Sequence, residues 1–369
     1  MKNLKKKTMA LMMAAVCMMC FMFSGCGSDN KNIDTNVDVK TDVDVKTDVE
    51  VKTDVDVKTD VEVKTDIDVS KTTVRVGGLK GPTSMGLLFL QDSFENGEAK
   101  GNYEFTMATA ADELLPLMIK GELDIALVPA NVASVLYNKT EGGVSVIDIN
   151  TLGVLYMVSG DTSITTPEQL KGKTIYLTGK GTTPDFVLQY VLAGNGIGLD
   201  EVTLEYKSEA TEVAAVLKEN PDAIGLLPQP FVTAACAQNE ALQVVMDMNV
   251  LWNDLQTEDG NRMVTGVTVV RNEFLQENEA VVKNFMEEHK ASTEAINADV
   301  EKGAALAVEA GIIAKEPIAK KAIPNCNIVY IDAEEMKQAL NGYLQVLFDK
   351  NPESVGGNLP GEDFYYIAK

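Results

Sequence analysis

The chain has 369 residues, a formal net charge of −23 at pH 7 and five cysteines. This length allows two or three ordinary domains of ~100 to 200 residues each. Because so acidic a surface repels nucleic acid and anionic lipid, and keeps a protein soluble and monomeric, we expect a monomer with no nucleic-acid partner.

The first 26 residues have the pattern of an export signal. A basic head containing Lys2 and Lys5 precedes the apolar run Met9–Met22, which is shorter than the ~20 residues of a typical membrane span. The run ends in Phe-Ser-Gly-Cys at residues 23–26, which resembles a bacterial lipobox. That resemblance implies cleavage before Cys26 and a diacylglycerol anchor on its thiol. The alternative is a plain signal peptide with an incidental cysteine.

Two cysteines, Cys236 and Cys326, remain in the body of the protein once the signal is removed. A disulfide between them would suit an oxidising compartment, but their wide separation gives no pairing signal. Two buried, unreactive thiols are the preferred interpretation.

A six-residue unit, [VI]-[DE]-V-K-T-D, recurs five times from Val37 to Asp66. Its strict alternation of apolar and charged residues is typical of a strand. The unit has no turn residues, however, and an isolated strand has nothing to pair with. We therefore interpret residues 27–72 as an extended, charged tether, with a β-rich accessory module as the alternative.

Strand-like and helix-like segments alternate after the tether. Val74–Leu79 is followed by a helix with Thr83 and Ser84 as its predicted N-cap, and further strands are predicted at Tyr103–Ala108 and Asp124–Val128. A helix follows each of these strands as well. Three successive strand–helix units predict a parallel sheet, because strands of the same direction need crossover helices.

The alternation then breaks and restarts. Thr151–Ser159 is predicted as a strand with no long helix directly after it, and Met263–Val270 is again strand-like. Between and around these two segments, strands are predicted at Val144–Ile149, Thr174–Leu177, Val202–Tyr206 and Ala223–Leu227. Helices are predicted at Asp185–Ala193, Glu212–Leu217, Phe231–Gln238, Asn278–Val300, Ala304–Val308, Ile318–Ala322 and Ala333–Phe348.

Several of the turns resemble those of one protein family. The segment GLKGPTSMG at residues 78–86, together with GELDIALVPANVAS at 121–134, resembles substrate-binding proteins of ABC importers. Within that family it is similar to the group that serves nitrate, alkanesulfonates, taurine and thiamine precursors. TGKGTTP at 178–184 and LLPQPF at 226–231 add to the resemblance, which covers roughly residues 74–369.

The resemblance implies an α/β fold of two doubly wound lobes, joined by two crossover strands, with a ligand cleft between them. Thr151–Ser159 and Met263–Val270 are the natural crossovers, and closure of the lobes around a ligand is the implied mechanism. The predicted domains are the signal peptide 1–26, the tether 27–72, the first part of lobe 1 at 73–157, lobe 2 at 158–262, and the return to lobe 1 at 263–369.

The resemblance also implies a set of cleft residues, which are small polar groups at the starts of helices. Free N–H groups there favour an anion or a neutral acceptor. The first lobe would supply Lys80, Thr83, Ser84, Met85, Thr109, Asp112 and Asn131. The facing lobe would supply Thr178, Gly179, Thr182, Thr183 and Gln229.

The charged residues expected near this cleft indicate which kind of solute it would bind. Asp112 and Glu209 suit a cation or an amine. The Arg-rich cleft that a tight bidentate anion clamp would need is missing from the pattern. Arg75 alternates with buried strand positions, and Arg262 and Arg271 flank the return crossover. This distribution argues against nitrate or sulfonate.

Catalysis is the competing class of function. The single His289 stands beside Glu287 and Glu288, and we expect it on a solvated helix face. One histidine predicts neither a histidine metal cluster nor a Ser–His or Cys–His pair, so no metal and no cofactor are expected. An enzyme of the thiaminase-like or menaquinone-pathway-like kind, which uses a similar two-lobed fold with a Cys or Asp, stays the alternative. A structural surface lipoprotein would need no cleft.

The preferred hypothesis is a lipid-anchored, outward-facing, non-enzymatic binding subunit on the cell membrane. It would capture a small-molecule ligand between its lobes and deliver it to an ABC permease.

Overall fold

Short aliphatic and β-branched runs form the strands of this protein, and glycine, proline and hydroxyl residues mark the turns that follow them. The structure, a computed structural model, describes residues 68–258 and 260–368. The strands are β1 (Thr73–Leu79), β2 (Asn102–Ala108), β3 (Ile125–Pro129), β4 (Val144–Leu152), β5 (Leu155–Ser159), β6 (Thr174–Thr178), β7 (Thr203–Lys207), β8 (Ile224–Pro228), β9 (Gln243–Asp247), β10 (Val264–Arg271) and β11 (Ile328–Ile331).

Helices connect most of these strands. They are α1 (Leu88–Glu95), α2 (Ala111–Ile119), α3 (Ala130–Lys139), α4 (Thr183–Gly194), α5 (Ala210–Glu219), α6 (Phe231–Gln238), α7 (Met248–Asp254), α8 (Asn272–Glu277), α9 (Glu279–Ala298), α10 (Val300–Glu309), α11 (Glu316–Ala322) and α12 (Ala333–Lys350). Short 3-10 helices add turns, among them Pro82–Leu87 after β1 and Ile323–Asn325 before β11. None of the described helices is long and apolar enough to cross a lipid bilayer.

The strands form two separate sheets. Sheet A has the order β11-β4-β10-β3-β1-β2, and sheet B has the order β7-β6-β8-β5-β9. In sheet A, β1 runs parallel to β2 and β3, whereas β10 is antiparallel to β3 and β4. In sheet B, β6 runs parallel to β7 and β8, whereas β5 is antiparallel to β8 and β9. The predicted parallel sheets are confirmed, each with antiparallel strands added.

Helices cover both faces of each sheet. Alternate residues of β3 enter different apolar clusters: Ile125 and Leu127 pack with Phe285 on one face, and Ala126 and Val128 pack on the other. Because successive side chains of a strand point to opposite faces, both faces of sheet A must be shielded from water. Sheet B shows the same division, with Leu226 and Leu227 in different clusters.

The chain crosses between the sheets twice. It leaves sheet A at the end of β4 and enters sheet B at β5 after Gly153 and Val154 alone, and it returns through β10. Gly153 has no room for a Cβ atom, since Met263 and Asn249 of the returning segment lie against it. The two crossovers therefore run side by side, and the predicted two-lobed α/β fold with a double crossover is confirmed. The residue boundaries of the lobes stay predictions.

A third contact joins the lobes through aromatic rings. Trp252 of α7 lies 4.3 Å from Tyr190 of α4 and 5.5 Å from Tyr343 of α12, measured between ring centroids. Trp252 and Tyr343 are fully buried. One apolar core therefore continues from sheet A, through α12, into sheet B.

A buried carboxylate holds the edge of sheet A that faces away from the crossovers. Asp124, just before β3, is 1% exposed and accepts a bidentate pair of hydrogen bonds from Arg75, with Nε at 2.8 Å. It also accepts a bond from the Arg75 backbone N–H at 3.0 Å and one from Arg271 at 3.1 Å. Two of the three arginines in the sequence therefore stabilise this edge and not a cleft.

Some sequence predictions need correction. The helix predicted at Asn278–Val300 ends at Ala298, so the break before the next helix lies at Asp299, slightly earlier than predicted. Thr83 and Ser84 are not an N-cap. They lie inside the 3-10 helix that precedes α1. Two strands, β9 and β11, and two α-helices, α7 and α8, were not predicted.

Several predictions fall on residues that the structure does not describe. The signal peptide, the acyl anchor at Cys26 and the repeats from Val37 to Asp66 all lie outside the described residues. Of the tether, only residues 68–72 are described, and Asp68 there caps a 3-10 turn at Val69–Lys71.

Candidate functional site

The ends of the parallel strands place two sets of loops at the crossovers. The ends of β1 and β3 lie at the edge of sheet A where β4 leaves and β10 enters, since Gly266 of β10 pairs with Pro129. The end of β8 lies where β5 begins, since Leu155 pairs with Pro228, and β6 runs parallel to β8. The carboxyl ends of both parallel sets therefore face the space between the lobes, where open α/β sheets bind ligands.

The loop after β1, residues 80–86, is tightly anchored. Ser84 is fully buried and its Oγ accepts a hydrogen bond from the backbone N–H of Leu79 at 2.8 Å. Thr83 is 6% exposed and packs over Gly266, where a Cβ atom would collide with it. Met85 is buried in an apolar cluster. Of the four predicted contacts in this loop, Lys80 is the exposed one.

The other predicted residues of lobe 1 lie on two further loops. Thr109 and Asp112 are exposed, and they follow β2, the outermost strand of sheet A. The cap of α2 there is supplied by Glu113, whose carboxylate accepts hydrogen bonds from the N–H groups of Thr109 and Ala110. Asn131, at the start of α3, is half-buried and donates to the carbonyl of Ser354 at 3.2 Å.

The loop after β6, residues 178–184, is built around a buried carboxylate. Asp185 is 3% exposed and accepts hydrogen bonds from the N–H of Gly181, from Gln189 and from the Tyr206 hydroxyl, each at 2.8 Å. Gly179 has a φ of 72°, which other residues rarely adopt, and its carbonyl accepts the Thr182 hydroxyl at 2.6 Å. Hydrogen bonds within the protein therefore support the shape of this loop.

Two further predicted residues of lobe 2 make hydrogen bonds to other residues of the protein. Thr183 is half-buried, and its side chain is hydrogen-bonded to Tyr343 of α12. Gln229 is 3% exposed, its backbone N–H donates to Val154 at 2.9 Å, and its Oε1 accepts the Thr233 hydroxyl at 2.8 Å. The topology thus brings the loops after β1, β3, β6 and β8 toward one space and leaves the β2 loop at its margin. Direct ligand contact by any of these residues stays a prediction.

A chain of buried polar side chains runs from α9 to the β1 loop. His289 Nδ1 lies 3.3 Å from Oδ2 of Asp148 on β4, and Oδ1 of Asp148 accepts the Thr268 hydroxyl of β10 at 2.8 Å. Asn150 donates to Thr268 at 3.2 Å, and Thr151 donates to Asn150 at 3.0 Å. The Thr151 hydroxyl also contacts the carbonyl of Pro82, at 3.3 Å. This series of hydrogen bonds, called here the hinge network, joins both crossover strands to the loop after β1.

The prediction that His289 lies on a solvated face is wrong. Its side chain is fully buried and stacks on Phe285 at 5.5 Å. It recurs on α9 at the spacing of Val282, Phe285 and Ile296, which mark the buried face of the helix. That spacing is visible in the sequence, but the adjacent Glu287 and Glu288 concealed it.

The two remaining cysteines are free thiols. Cys326 is buried and Cys236 is half-buried, so the disulfide considered from the sequence is not formed among the described residues. Burial raises the pKa of the Cys326 thiol to about 12 and also raises the pKa of Cys236. Both groups therefore stay protonated and weakly nucleophilic at neutral pH. Within residues 68–258 and 260–368, no group of three His, Cys, Asp or Glu side chains could hold a metal ion.

Two cavities separate α6 of one lobe from the helical end of the other. One, of about 470 Å³, lies between α6 and the α10–α11 turn. The other, of about 500 Å³, lies between α6, β9 and Asn325, and it includes the predicted residue Gln229. Tyr156 closes part of the second cavity by donating its hydroxyl to the Asn325 carbonyl at 2.9 Å.

Comparison with known proteins agrees with this architecture. Residues 120–302 match the family model described as NMT1/THI5 like. A solved ABC transporter structure from Parabacteroides distasonis is 26% identical, with a TM-score of 0.67, and the match covers 81% of this chain and 100% of that chain. No curated protein sequence matches this chain.

Two more distant structures share the fold. The periplasmic aliphatic sulphonate binding protein SsuA from Escherichia coli is 15% identical, with a TM-score of 0.62, over 77% of this chain and 95% of that chain. The ligand binding component of an ABC-type import system from Staphylococcus aureus is 14% identical, with a TM-score of 0.58, over 80% of this chain and 97% of that chain. These structures confirm the fold that the resemblance to binding proteins of ABC importers implies.

Proposed function

We propose that this chain, which has the two-lobed fold of ABC-importer binding proteins, captures a small solute between its lobes and delivers it to an ABC permease. The observation that carries the proposal is the double crossover, which points the strand ends of both sheets, with their polar loops, into one interlobe space. Closure of the two lobes on such a hinge would bury a ligand between them while each sheet stays intact.

The proposed location is the outer face of the cell membrane. The similar Escherichia coli protein is a periplasmic binding protein, and the first 26 residues have the pattern of a lipoprotein signal. An acyl anchor on Cys26 and a charged tether would keep a monomeric body near its permease. Mass spectrometry of the membrane-extracted protein, compared with a Cys26→Ser variant, tests the anchor.

Nothing among the described residues favours the enzymatic alternative. A thiaminase-like mechanism needs an activated nucleophile, but burial raises the pKa of the Cys236 thiol. His289 is enclosed beneath the β1 loop and faces Asp148. Catalysis by an aspartate in the cleft would show as conversion of the solute, which the binding experiment below would detect.

A thermal-shift screen of small solutes against the full-length protein identifies ligands for a direct test. Thr182→Ala and Asn131→Ala should each weaken the identified solute about tenfold, since each removes a polar group at a loop that faces the cleft. Isothermal titration calorimetry measures the affinity, and product analysis of the same samples shows whether the solute is converted.

Two matched controls separate binding from folding. Asn138, also on α3, donates to Val355 and Asn358 carbonyls much as Asn131 donates to Ser354. Thr140 donates its hydroxyl to Leu136 at 2.8 Å, as Thr182 donates to Gly179. Asn138→Ala and Thr140→Ala should leave the affinity unchanged. Unchanged affinity in both cleft variants would remove the site assignment, and conversion of the solute would favour the enzyme.

A further inference from the structure

We propose that the two lobes open on one side only, about a pivot where α7 packs against α12, and that a single hydrogen bond on the opposite side acts as a latch. The pivot consists of the rings of Tyr190, Trp252 and Tyr343. The latch is the hydrogen bond from the Tyr156 hydroxyl to the Asn325 carbonyl, at 2.9 Å. This inference rests on the proposed function and adds to it the direction in which the lobes move.

The pivot and the latch lie on opposite faces of sheet B. Met157 of β5 enters the apolar cluster that contains Trp252. Tyr156, the preceding residue of β5, enters a different cluster, which α5 and α6 cover. Successive side chains of a strand point to opposite faces of the sheet. A rotation of one lobe about the pivot therefore moves the two partners of the latch apart while the pivot stays packed.

The pivot side of the lobes is held by buried aromatic surface. Trp252 and Tyr343 are fully buried, and their ring centroids lie 5.5 Å apart. One apolar cluster continues here from the lobe of sheet A into the lobe of sheet B. An aromatic side chain buries roughly 150 to 250 Å², so separating these rings would return a large apolar area to water. We therefore expect this side to stay together when the lobes move.

The latch side is held less firmly. Although α6 and α11 lie next to each other, their buried residues belong to two separate apolar clusters, with Val232 and Ala235 in one and Ala319 and Ala322 in the other. Cavities of about 470 and 500 Å³ lie between the lobes on this side. One hydrogen bond contributes less to stability than the burial of an aromatic ring. Opening on this side therefore costs the least free energy.

The two free thiols of the body can report this movement. Cys236 is half-buried and lines the larger cavity together with Tyr156 and Asn325. Cys326 directly follows Asn325 but is fully buried in the apolar cluster of α10 and α11. Opening on the latch side should therefore expose Cys236 to a thiol reagent, whereas Cys326 should react only if the lobe itself unfolds.

Alkylation of the full-length protein with iodoacetamide, in the absence of solute, tests the latch. Peptide mass spectrometry gives the rate at each cysteine separately. Tyr156→Phe should raise the rate at Cys236 about three- to tenfold, which is the change in population that one hydrogen bond supports. Tyr137→Phe is the matched control, because the Tyr137 hydroxyl donates to Asp363 at 2.6 Å within the lobe of sheet A. It should leave the rate at Cys236 unchanged.

Two further measurements separate opening of the lobes from local unfolding. Acrylamide quenching of Trp252, the only tryptophan, tests the pivot and should be the same in the wild type and in Tyr156→Phe. Ala235→Cys tests whether α6 unfolds by itself, because Ala235 is 4% exposed and packs against the core of its own lobe. The alkylation rate of Ala235→Cys should not change when Tyr156→Phe is added.

The outcomes separate this inference from the proposed function. Equal rates at Cys236 in the wild type, Tyr156→Phe and Tyr137→Phe would overturn the latch. Stronger quenching of Trp252 in Tyr156→Phe would overturn the pivot, and faster alkylation of Ala235→Cys or Cys326 would show local unfolding in place of lobe opening. In each of these cases a solute found in the thermal-shift screen would leave the transport function standing. If no solute binds the folded protein, the proposed function is overturned, whereas the solute-free rates still decide the latch.

Discussion

Replacing Asp124 with alanine is expected to lower the free energy of unfolding by about 3 kcal/mol, near the low end for breaking a buried ion pair. The carboxylate is almost completely buried and serves two guanidinium groups and one backbone N–H. Its loss removes the carboxylate partner of Arg75 and leaves Arg271 with the exposed Glu273. Because Arg75 remains 35% exposed, water can partly solvate it. The expected loss in the free energy of unfolding is therefore about 3 kcal/mol and not more.

The contribution of Asp124 to stability is expected to depend on pH in the acid range. Burial alone would raise the pKa of the Asp124 carboxyl, but hydrogen bonds from Arg75 and Arg271 outweigh burial and hold the pKa below its ordinary value. A carboxyl with a lowered folded-state pKa contributes stability above its unfolded pKa, about 4, and loses it as the pH falls through the folded pKa. The difference in the free energy of unfolding between the wild type and Asp124→Ala should therefore become smaller below about pH 4.

Urea unfolding at several pH values measures both effects. Glu273 is the control, since it also pairs with Arg271 but is 75% exposed. Glu273→Ala should change the free energy of unfolding by less than about 0.5 kcal/mol. A loss for Asp124→Ala no larger than that of the control at pH 7 would contradict the assignment.

Replacing Asp148 with alanine is expected to have a second large effect, a loss of about 3 kcal/mol in the free energy of unfolding. Asp148 is fully buried, and the substitution leaves His289 Nδ1 and the Thr268 hydroxyl without their acceptor. Because the hinge network spans β4, β10 and the β1 loop, solute affinity should fall as well, by about tenfold.

A double-mutant cycle with His289→Leu tests whether the two side chains act together. Each single variant leaves a buried polar group without a partner, whereas the double variant removes both groups. The double variant should therefore be less destabilised than the sum of the singles by at least about 1 kcal/mol. Because His289 is the only histidine, its ring resonances can be assigned directly, and they should shift when solute binds. Additive losses and unmoved resonances would show that the network is structural packing alone.

The order of strands and helices could largely be predicted from the sequence, because it depends on local chemistry. The parallel strand–helix units follow from short apolar runs and the turn residues between them, whereas the double crossover was implied by the resemblance to a known family. β9 and β11 were missed for a physical reason: their residues are mostly partly exposed, with little contrast between faces. The break between α9 and α10 was predicted after Val300 but lies at Asp299, whose carboxylate caps α10 by accepting the Lys302 N–H at 3.0 Å.

The candidate site was less predictable because its members act through distant partners. Asp185 is buried in the first turn of a helix, and nothing local reveals that it accepts a hydrogen bond from Tyr206 of another strand. Tyr343 contacts Thr183 across more than 150 residues of sequence. Most of the loops that the resemblance identified meet at the interlobe space, but which side chains point toward a ligand depends on tertiary packing that no short motif contains.

Native mass spectrometry of the full-length protein with the solute from the thermal-shift screen tests the central claim most directly. If two lobes close on one small guest, the spectrum should show a single solute molecule per chain, released with its mass unchanged and largely absent from Thr182→Ala under the same conditions. A solute released as a chemically altered product, or retained equally by Thr182→Ala, Asn131→Ala and the wild type, would contradict an interlobe binding protein.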